Sequence, residues 1–514
     1  MKKKNRNLKS LKELTQAAGV FLIFSVVSYF ILFFFRLLAA RYFGAEDFGL
    51  FSLAETILLV VVLFVSLGIP SGIARYIPHY LYKKELGKLK GYLYFIVSIP
   101  LIFSFIVAFF IWIYSKQITI FLGYPVIFET ILKIIAIALP FKIIMSLLRK
   151  IFVARKLVIY KLISYSVVEV GFLFLSILVI MFFKLSILWL IVAMLFSILL
   201  TTAYCGYEYK IRVKWNLPAK RKYELKSWLY FSLPLLFSGI FAYFVRWSDN
   251  LMIGKFMDPT DLGIYSVAFS LAAFLTFFQQ SFSLLFIPLI SEAKAKKKDD
   301  EISFLFKKSA AWIFGLSFPI FLVMVVFSKQ ILNLLYGADY VGGALPLIII
   351  AFGMLINLGT GLGSKILILH KKTMYLFLIN CFFALFNIAL NIILIPIMGI
   401  VGAAIASATT LALINLSFLW VARRYEKLNL DLVSNFKFII AGIVSVFLAS
   451  RLSLLPINEI VLLFLSGVSY VVLYLILLLM FRTFKKEDFQ MLLWMEKKFK
   501  INLDPLKKIV KKFY

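Results

Sequence analysis

Apolar runs of about twenty residues, each long enough to cross a hydrocarbon core of about 30 Å, recur along this chain from Ala17 to Phe481. A chain dissolved in lipid along most of its length has no water to satisfy its backbone, and this demands helices rather than open sheet. Hydrophobic residues make up 63% of the 514, against about 45–50% in soluble domains. The expected class is all-α and polytopic, with about fourteen transmembrane helices. These fall near 17–40, 48–72, 91–114, 126–148, 162–183, 186–208, 228–253, 262–290, 309–328, 341–369, 373–395, 400–422, 434–453 and 458–481. The first run is too long for a signal peptide and lacks a cleavage site, so it reads as a spanning helix. Cys205 and Cys381 offer neither a disulfide framework nor metal spacing, and His79 and His370 sit near expected helix ends.

Charge sets the expected orientation. Of the 56 Lys and Arg, 46 fall in the N-terminus, the C-terminal tail and the even-numbered loops. By the positive-inside rule, both termini are expected to be cytoplasmic, in a cell membrane. The net charge of +32 then reflects topology and attraction to anionic lipid headgroups. Nucleic acid is a poor partner for charge scattered over eight short segments. The organisation expected is a basic N-terminus (1–16), an N-lobe (17–208), a basic linker (209–227), a C-lobe (228–422), two further helices (423–481) and a basic tail (482–514). The tail alternates apolar residues with Lys, as a surface-lying amphipathic segment does; a docking site for a glycan-assembly enzyme is a second reading of it.

The halves repeat. Arg41-Tyr-Phe-Gly-Ala-Glu-Asp-Phe-Gly-Leu-Phe-Ser-Leu-Ala54 aligns with Lys255-Phe-Met-Asp-Pro-Thr-Asp-Leu-Gly-Ile-Tyr-Ser-Val-Ala268 at an offset of 214, which also brings Leu122-Gly123 onto Tyr336-Gly337. Internal repeats of membrane helices mark transporters, and this one reads as parallel, about an axis along the membrane normal. Asp47 and Asp261 are read as helix caps, with the following Gly49 and Gly263 permitting close backbone packing. A catalytic carboxylate is the sharper alternative, but a motif present in both halves suits architecture better than a single active site.

The stretches Arg41–Ala54, Arg246 to Ser266, Leu335-Tyr-Gly-Ala-Asp-Tyr340 and Ile395-Pro-Ile-Met-Gly-Ile-Val-Gly-Ala-Ala-Ile-Ala406 resemble polysaccharide flippases of the multidrug/oligosaccharidyl-lipid/polysaccharide exporter superfamily. The resemblance runs from about Lys12 to Phe481 and rests on soft Gly, Pro and aromatic patterns. It implies two repeated lobes around a central cavity and alternating access. The implied cargo is an undecaprenyl- or dolichyl-diphosphate-linked oligosaccharide, moved from the cytoplasmic to the outer leaflet for glycan biosynthesis.

Charges inside spans cost about 2.5–3.5 kcal/mol at the centre and tend to face cavities. Ser25, Tyr29 and Arg36 form one stripe of the first helix. Ser232, Gly239, Tyr243, Arg246 and Asn250 form another on the seventh, with Asp249 beside it. If these stripes face each other, two guanidiniums suit a diphosphate. Arg36 could instead only snorkel, and Asp249 could pair with Arg246 or act alone. Lys142, Glu169 and Lys365 complete the candidate cavity set, with Pro140 able to break the helix that carries Lys142. Arg75 and Arg149 could receive the diphosphate first or be solvated loop charge. Asn380, Asn387, Asn391, Asn357, Thr360, Ser364, Gln279 and Gln280 are read as helix-to-helix hydrogen-bonding groups, with sugar contact as the alternative. Gly359, Gly361 and Gly363 suit a bend or close packing equally.

Three rivals are weighed. A lipid II flippase has a lipid diphosphate cargo too. A cation-coupled multidrug antiporter of the same superfamily typically carries an acidic site on its first helix, which holds only Arg36 here. A polytopic glycosyltransferase or polymerase would normally need a long outer loop. The expectation is a transporter and not an enzyme, with no metal and no cofactor. No Walker motif is present, so the energy source is a Na+ or H+ gradient, the membrane potential or the cargo gradient.

Overall fold

The computed structural model describes residues 2–213, 219–451 and 459–483. Most of the tail expected to lie on the membrane surface, from residue 484 onward, falls outside the described residues. Among these residues there is no strand, as lipid-soluble backbone requires. Among the described residues, ten helices are long and apolar enough to cross a membrane, eleven if one bent pair counts as a single span. The expected count of fourteen is not reached on that measure. Phe24–Val65 counts once although a break divides it, and Leu465–Met480 is short.

Two compact units divide the chain. One comprises residues 20–266 with 391–399; the other holds 267–390 and 400–514 with the N-terminal nineteen. The first unit takes most of α1 (Lys2–Val65), then α2 (Ile69–Tyr82), α3 (Leu86–Leu122), α4 (Ile127–Ala154) and α5 (Val158–Ile163). A π-helical turn (Ser164–Glu169) leads into α6 (Val170–Phe182), followed by α7 (Ile187–Val213) and α8 (Leu225–Phe256). The helix expected to open the C-lobe, α8, therefore packs with the first seven, against α2 in particular.

Physical chemistry explains the local breaks. At about 1.5 Å per residue, a helix of 42 residues from Phe24 to Val65 would far exceed the bilayer. Gly44 divides it with φ 78° and ψ 178°, a conformation open to glycine and costly for other residues. The repeat then meets itself. A Cβ on Gly49 would lie 1.8 Å from the Pro259 carbonyl oxygen, and one on Gly263 1.9 Å from that of Ala45. The two starts of the repeated helix thus cross backbone to backbone, which only glycine allows. Asp261 is the third residue of α9 (Pro259–Ala273) and accepts a hydrogen bond from the backbone of Asp258, with proline at the first helical position. It supports the helix start from inside the first turn rather than standing as the cap.

An aromatic cluster fastens α2, α3 and α8 together. Trp228 is fully buried and donates Nε1–H to Tyr80 Oη at 2.9 Å, while Tyr80 donates to Glu224 at 2.8 Å. Tyr76 and Tyr92 close over it, with ring centroids 5.1 Å apart. Lys88 adds an ion pair to Glu224 at 2.8 Å.

The second unit runs from the end of α9 through α10 (Thr276–Ala295), α11 (Asp299–Val326), α12 (Ser328–Tyr336), α13 (Ala344–Gly359) and α14 (Gly363–Leu369). It continues with α15 (Thr373–Met398), α16 (Ile400–Ala422), α17 (Leu432–Ser450) and α18 (Glu459–Met480). Here the expected amide contacts occur: Gln279 donates to Asn357 at 3.1 Å and Asn387 to Thr410 at 3.3 Å. The chain between α13 and α14 turns at Gly361, φ 74°.

Candidate functional site

The first unit carries a track of charged side chains inside its apolar helices. On α4, Lys142 and Arg149 stand seven residues apart, two turns along one face. Both reach Glu169, the last residue of the π-helical turn: Lys142 Nζ lies 2.7 Å from Oε1 and Arg149 Nη1 2.6 Å from Oε2. Such turns insert one extra residue into a helix and recur at functional sites. This one also returns Ser164 to Arg149, which donates Nε–H to its hydroxyl at 3.0 Å and Nη2–H to its carbonyl at 2.8 Å. Ser197 on α7 donates to the Glu169 carbonyl at 3.0 Å. The backbone of the turn is therefore held at both ends.

A second ion pair lies on α1, where Arg36 Nη2 is 2.5 Å from Glu55 Oε2 across the Gly44 break. Tyr165 lies with its ring 5.6 Å from the Arg149 guanidinium and within electrostatic range of Glu169, Glu55 and Arg36. Ser28 of α1 and Ser166 of the π turn share a hydrogen bond that ties the two regions. From α8, Tyr243 comes within electrostatic range of Glu55 and Arg246. Its hydroxyl is buried without a hydrogen-bond partner among the described residues, and its ring stacks on Trp247 at 6.1 Å. Arg246 is exposed, with its guanidinium 5.8 Å from the Trp247 ring.

Of the sequence-based set, the structure pairs Lys142 with Glu169, gives Arg36 the partner Glu55, and sets Tyr243 of α8 within electrostatic range of Glu55 and Arg246. Tyr29 is half-buried on α1, seven residues before Arg36. Asp249 and Asn250 are buried and bind helices: Asp249 accepts from Tyr265 at 2.6 Å and Asn391 at 2.8 Å, and Asn250 donates to Thr56 at 3.1 Å. Lys365 is half-buried on α14 in the other unit. Glu55 and Tyr165 lie outside the sequence-based set, and Arg149, read from sequence as a first receiver of the diphosphate or a solvated loop charge, is bound to Glu169. A lone carboxylate inside an apolar run is itself the signal that finds Glu55. Tyr165 carries no comparable signal.

The track holds four cations, Arg36, Lys142, Arg149 and Arg246, against two carboxylates, Glu55 and Glu169. That excess of two positive charges, with Arg246 exposed, attracts a doubly charged anion, and guanidiniums bind phosphate in bidentate fashion. Among the described residues, no group of three or more His, Cys, Asp or Glu could hold a metal ion.

Comparison with known proteins gives a consistent family. Agl15 of Haloferax volcanii, named a probable low-salt glycan biosynthesis flippase, is 25% identical over 264 residues, half of this chain and 54% of its own length. The probable flippase AglR of the same organism is 29% identical over 43% of this chain and 48% of its own length. The chain therefore spans about half the length of these two relatives. The uncharacterised membrane protein MJ1068 of Methanocaldococcus jannaschii is 26% identical over 86% of this chain and 90% of its own. Among solved structures, the lipid II flippase MurJ in an inward closed conformation superposes with a TM-score of 0.70 at 16% identity, covering 89% of this chain and 98% of that one. An inward-facing multidrug resistance MATE family transporter of the MOP superfamily gives 0.62 at 12% identity, over 77% and 94%. These two likenesses establish the two-lobed, all-helical transporter fold. The family described as "polysaccharide biosynthesis protein" matches residues 38–345, more than half of the sequence, and the chain belongs to that family.

Proposed function

We propose that the chain is a flippase that moves a polyprenyl-diphosphate-linked oligosaccharide from the cytoplasmic to the outer leaflet of the cell membrane by alternating access. The observation that carries this reading is the membrane-embedded track with two more positive charges than negative. A lipid diphosphate brings two negative charges and needs a polar route through lipid, whereas an organic cation would meet repulsion. The names of Agl15 and AglR support the same cargo class. Both termini face the cytoplasm on this reading, anionic lipids surround the basic inner loops, and glycan-assembly enzymes supply the cargo. Coupling runs through the membrane potential, a Na+ or H+ gradient, or the cargo gradient; the chain performs transport and not bond chemistry.

The test is flipping of a fluorescent polyprenyl-diphosphate oligosaccharide by the full chain in proteoliposomes, for wild type, Arg36→Ala and Arg246→Ala. Wild-type flipping that collapses in both variants is expected. Absence of flipping with uptake of an organic cation instead would overturn the reading in favour of an antiporter.

A further inference from the structure

Glu169 sits between two cations that outnumber it. Its neighbours differ in how they are held. Arg149 keeps its position through Ser164, whose hydroxyl and carbonyl take two of its N–H groups, with Tyr165 under its guanidinium at 5.6 Å. Lys142 is held by Glu169 alone among the described residues. The Glu169 backbone is tied to Ser197, so only its side chain is free to swing. Glu169 is 8% exposed against 2% for the structural carboxylate Asp249, and the side chains of Lys142 and Arg149 keep 18% and 13% of their surface accessible. A brace of that kind is sealed; this triad is within reach of a ligand.

We propose that Glu169 is a resident counter-ion that the phosphates of the cargo displace from Lys142 and Arg149, and whose return drives the cargo off. The inference rests on the flippase reading above and deepens it. With the path empty, the carboxylate offsets half the charge of a cation pair that would otherwise be costly to leave in low dielectric. When a diphosphate arrives, Arg149 stays where Ser164 fixes it, Lys142 follows the phosphate, and Glu169 turns away. Because the carboxylate competes with cargo, it weakens binding and speeds release. Ser28, on the same helix as Arg36, hydrogen-bonds Ser166 of the π turn, so the phosphate released here passes toward the Arg36–Glu55 pair.

Undecaprenyl diphosphate in nanodiscs serves as the probe, with binding, probe-induced thermal stabilisation and flipping measured on the full chain. Glu169→Gln removes the competitor. It is expected to bind the probe about tenfold tighter, as a ligand does when freed from a competing state, to gain more stabilisation from the probe than wild type, and to flip more slowly at saturation. Glu169→Asp keeps the charge and the fold while shortening the reach, and gives a smaller rise of about threefold on the same reasoning. Adding Lys142→Ala to Glu169→Gln returns affinity toward wild type. A merely structural brace predicts the reverse: lower stability, with binding unchanged or weaker in both single variants, which would overturn the proposal. If wild type flips the probe and neither variant binds tighter, the counter-ion role alone falls. If wild type neither binds nor flips it, the flippase reading falls and this one with it.

Discussion

Replacing Gly49 by alanine puts a methyl group where there is already a backbone. Its Cβ would lie 1.8 Å from the Pro259 oxygen, 2.7 Å from the carbonyl carbon and 3.0 Å from the Gly263 nitrogen. Carbon atoms in contact normally keep about 3.5–4.0 Å, so the two helix starts must separate by well over an ångström. No side-chain rotation relieves this, because every atom met is main chain. Overpacking typically costs about 1–3 kcal/mol, and a clash with backbone belongs at the upper end of that range. At about 2–4 °C per kcal/mol for domains of 150–250 residues, and less for longer chains, the unfolding midpoint should fall by about 3–6 °C. The assay is thermal unfolding of purified full-length protein in detergent, followed by tryptophan fluorescence. Gly263→Ala should match it, since its Cβ meets Ala45 at 1.9 Å. The double variant should lose less than the sum, because one separation relieves both clashes. Gly206→Ala is the control. Nothing lies within 4 Å of its Cβ, and a helical Gly→Ala change should gain up to about 1 kcal/mol. A Gly49→Ala midpoint at or above wild type would refute the close crossing.

Two further outcomes are expected. Tyr80→Phe strands the buried Trp228 N–H and removes a donor from Glu224, which should cost about 1–3 kcal/mol in the same unfolding assay, while Tyr82→Phe, fully exposed at 89%, should cost nothing measurable. Hydrogen bonds from Lys88 and Tyr80 hold the Glu224 carboxyl below the usual carboxylate range. A depressed folded-state value means the contribution is present above that range and lost as pH falls through it, so the acid-side loss of stability should be shallower in Glu224→Gln than in wild type; identical acid profiles would refute the coupling.

Much of the fold is legible because lipid leaves a chain few choices: long apolar runs must be helical, and the repeat shows in matched residues such as Asp47 with Asp261. The charged part of the site is legible by the same physics, since Arg36, Lys142, Glu169 and Arg246 each stand out within apolar runs. Their pairings are not. Lys142 and Glu169 are 27 residues apart and meet only because α4 and the π-helical turn both pack on α7. Ser164–Glu169 contains no Gly or Pro to announce its widened turn. Glu55 follows directly on the repeated stretch Arg41–Ala54, whose architectural role masks a charge that serves the site. The place of α8 among the first seven helices depends on Trp228 finding Tyr80 and Tyr92, and composition does not disclose that.

The crossing of Ala45–Gly49 with Pro259–Gly263 is reciprocal: each glycine faces the carbonyl that precedes its counterpart by four residues. Two identical chains related by a twofold axis make contacts of this self-complementary form. A single copy of the repeat would thus already possess the surface needed to pair with itself, and fusion of two copies would preserve the contact unchanged. The corollary is a shared fate for the two glycines. Neither position can acquire a side chain unless the opposite strand of backbone withdraws, so sequence drift that separates the halves elsewhere should halt at this pair.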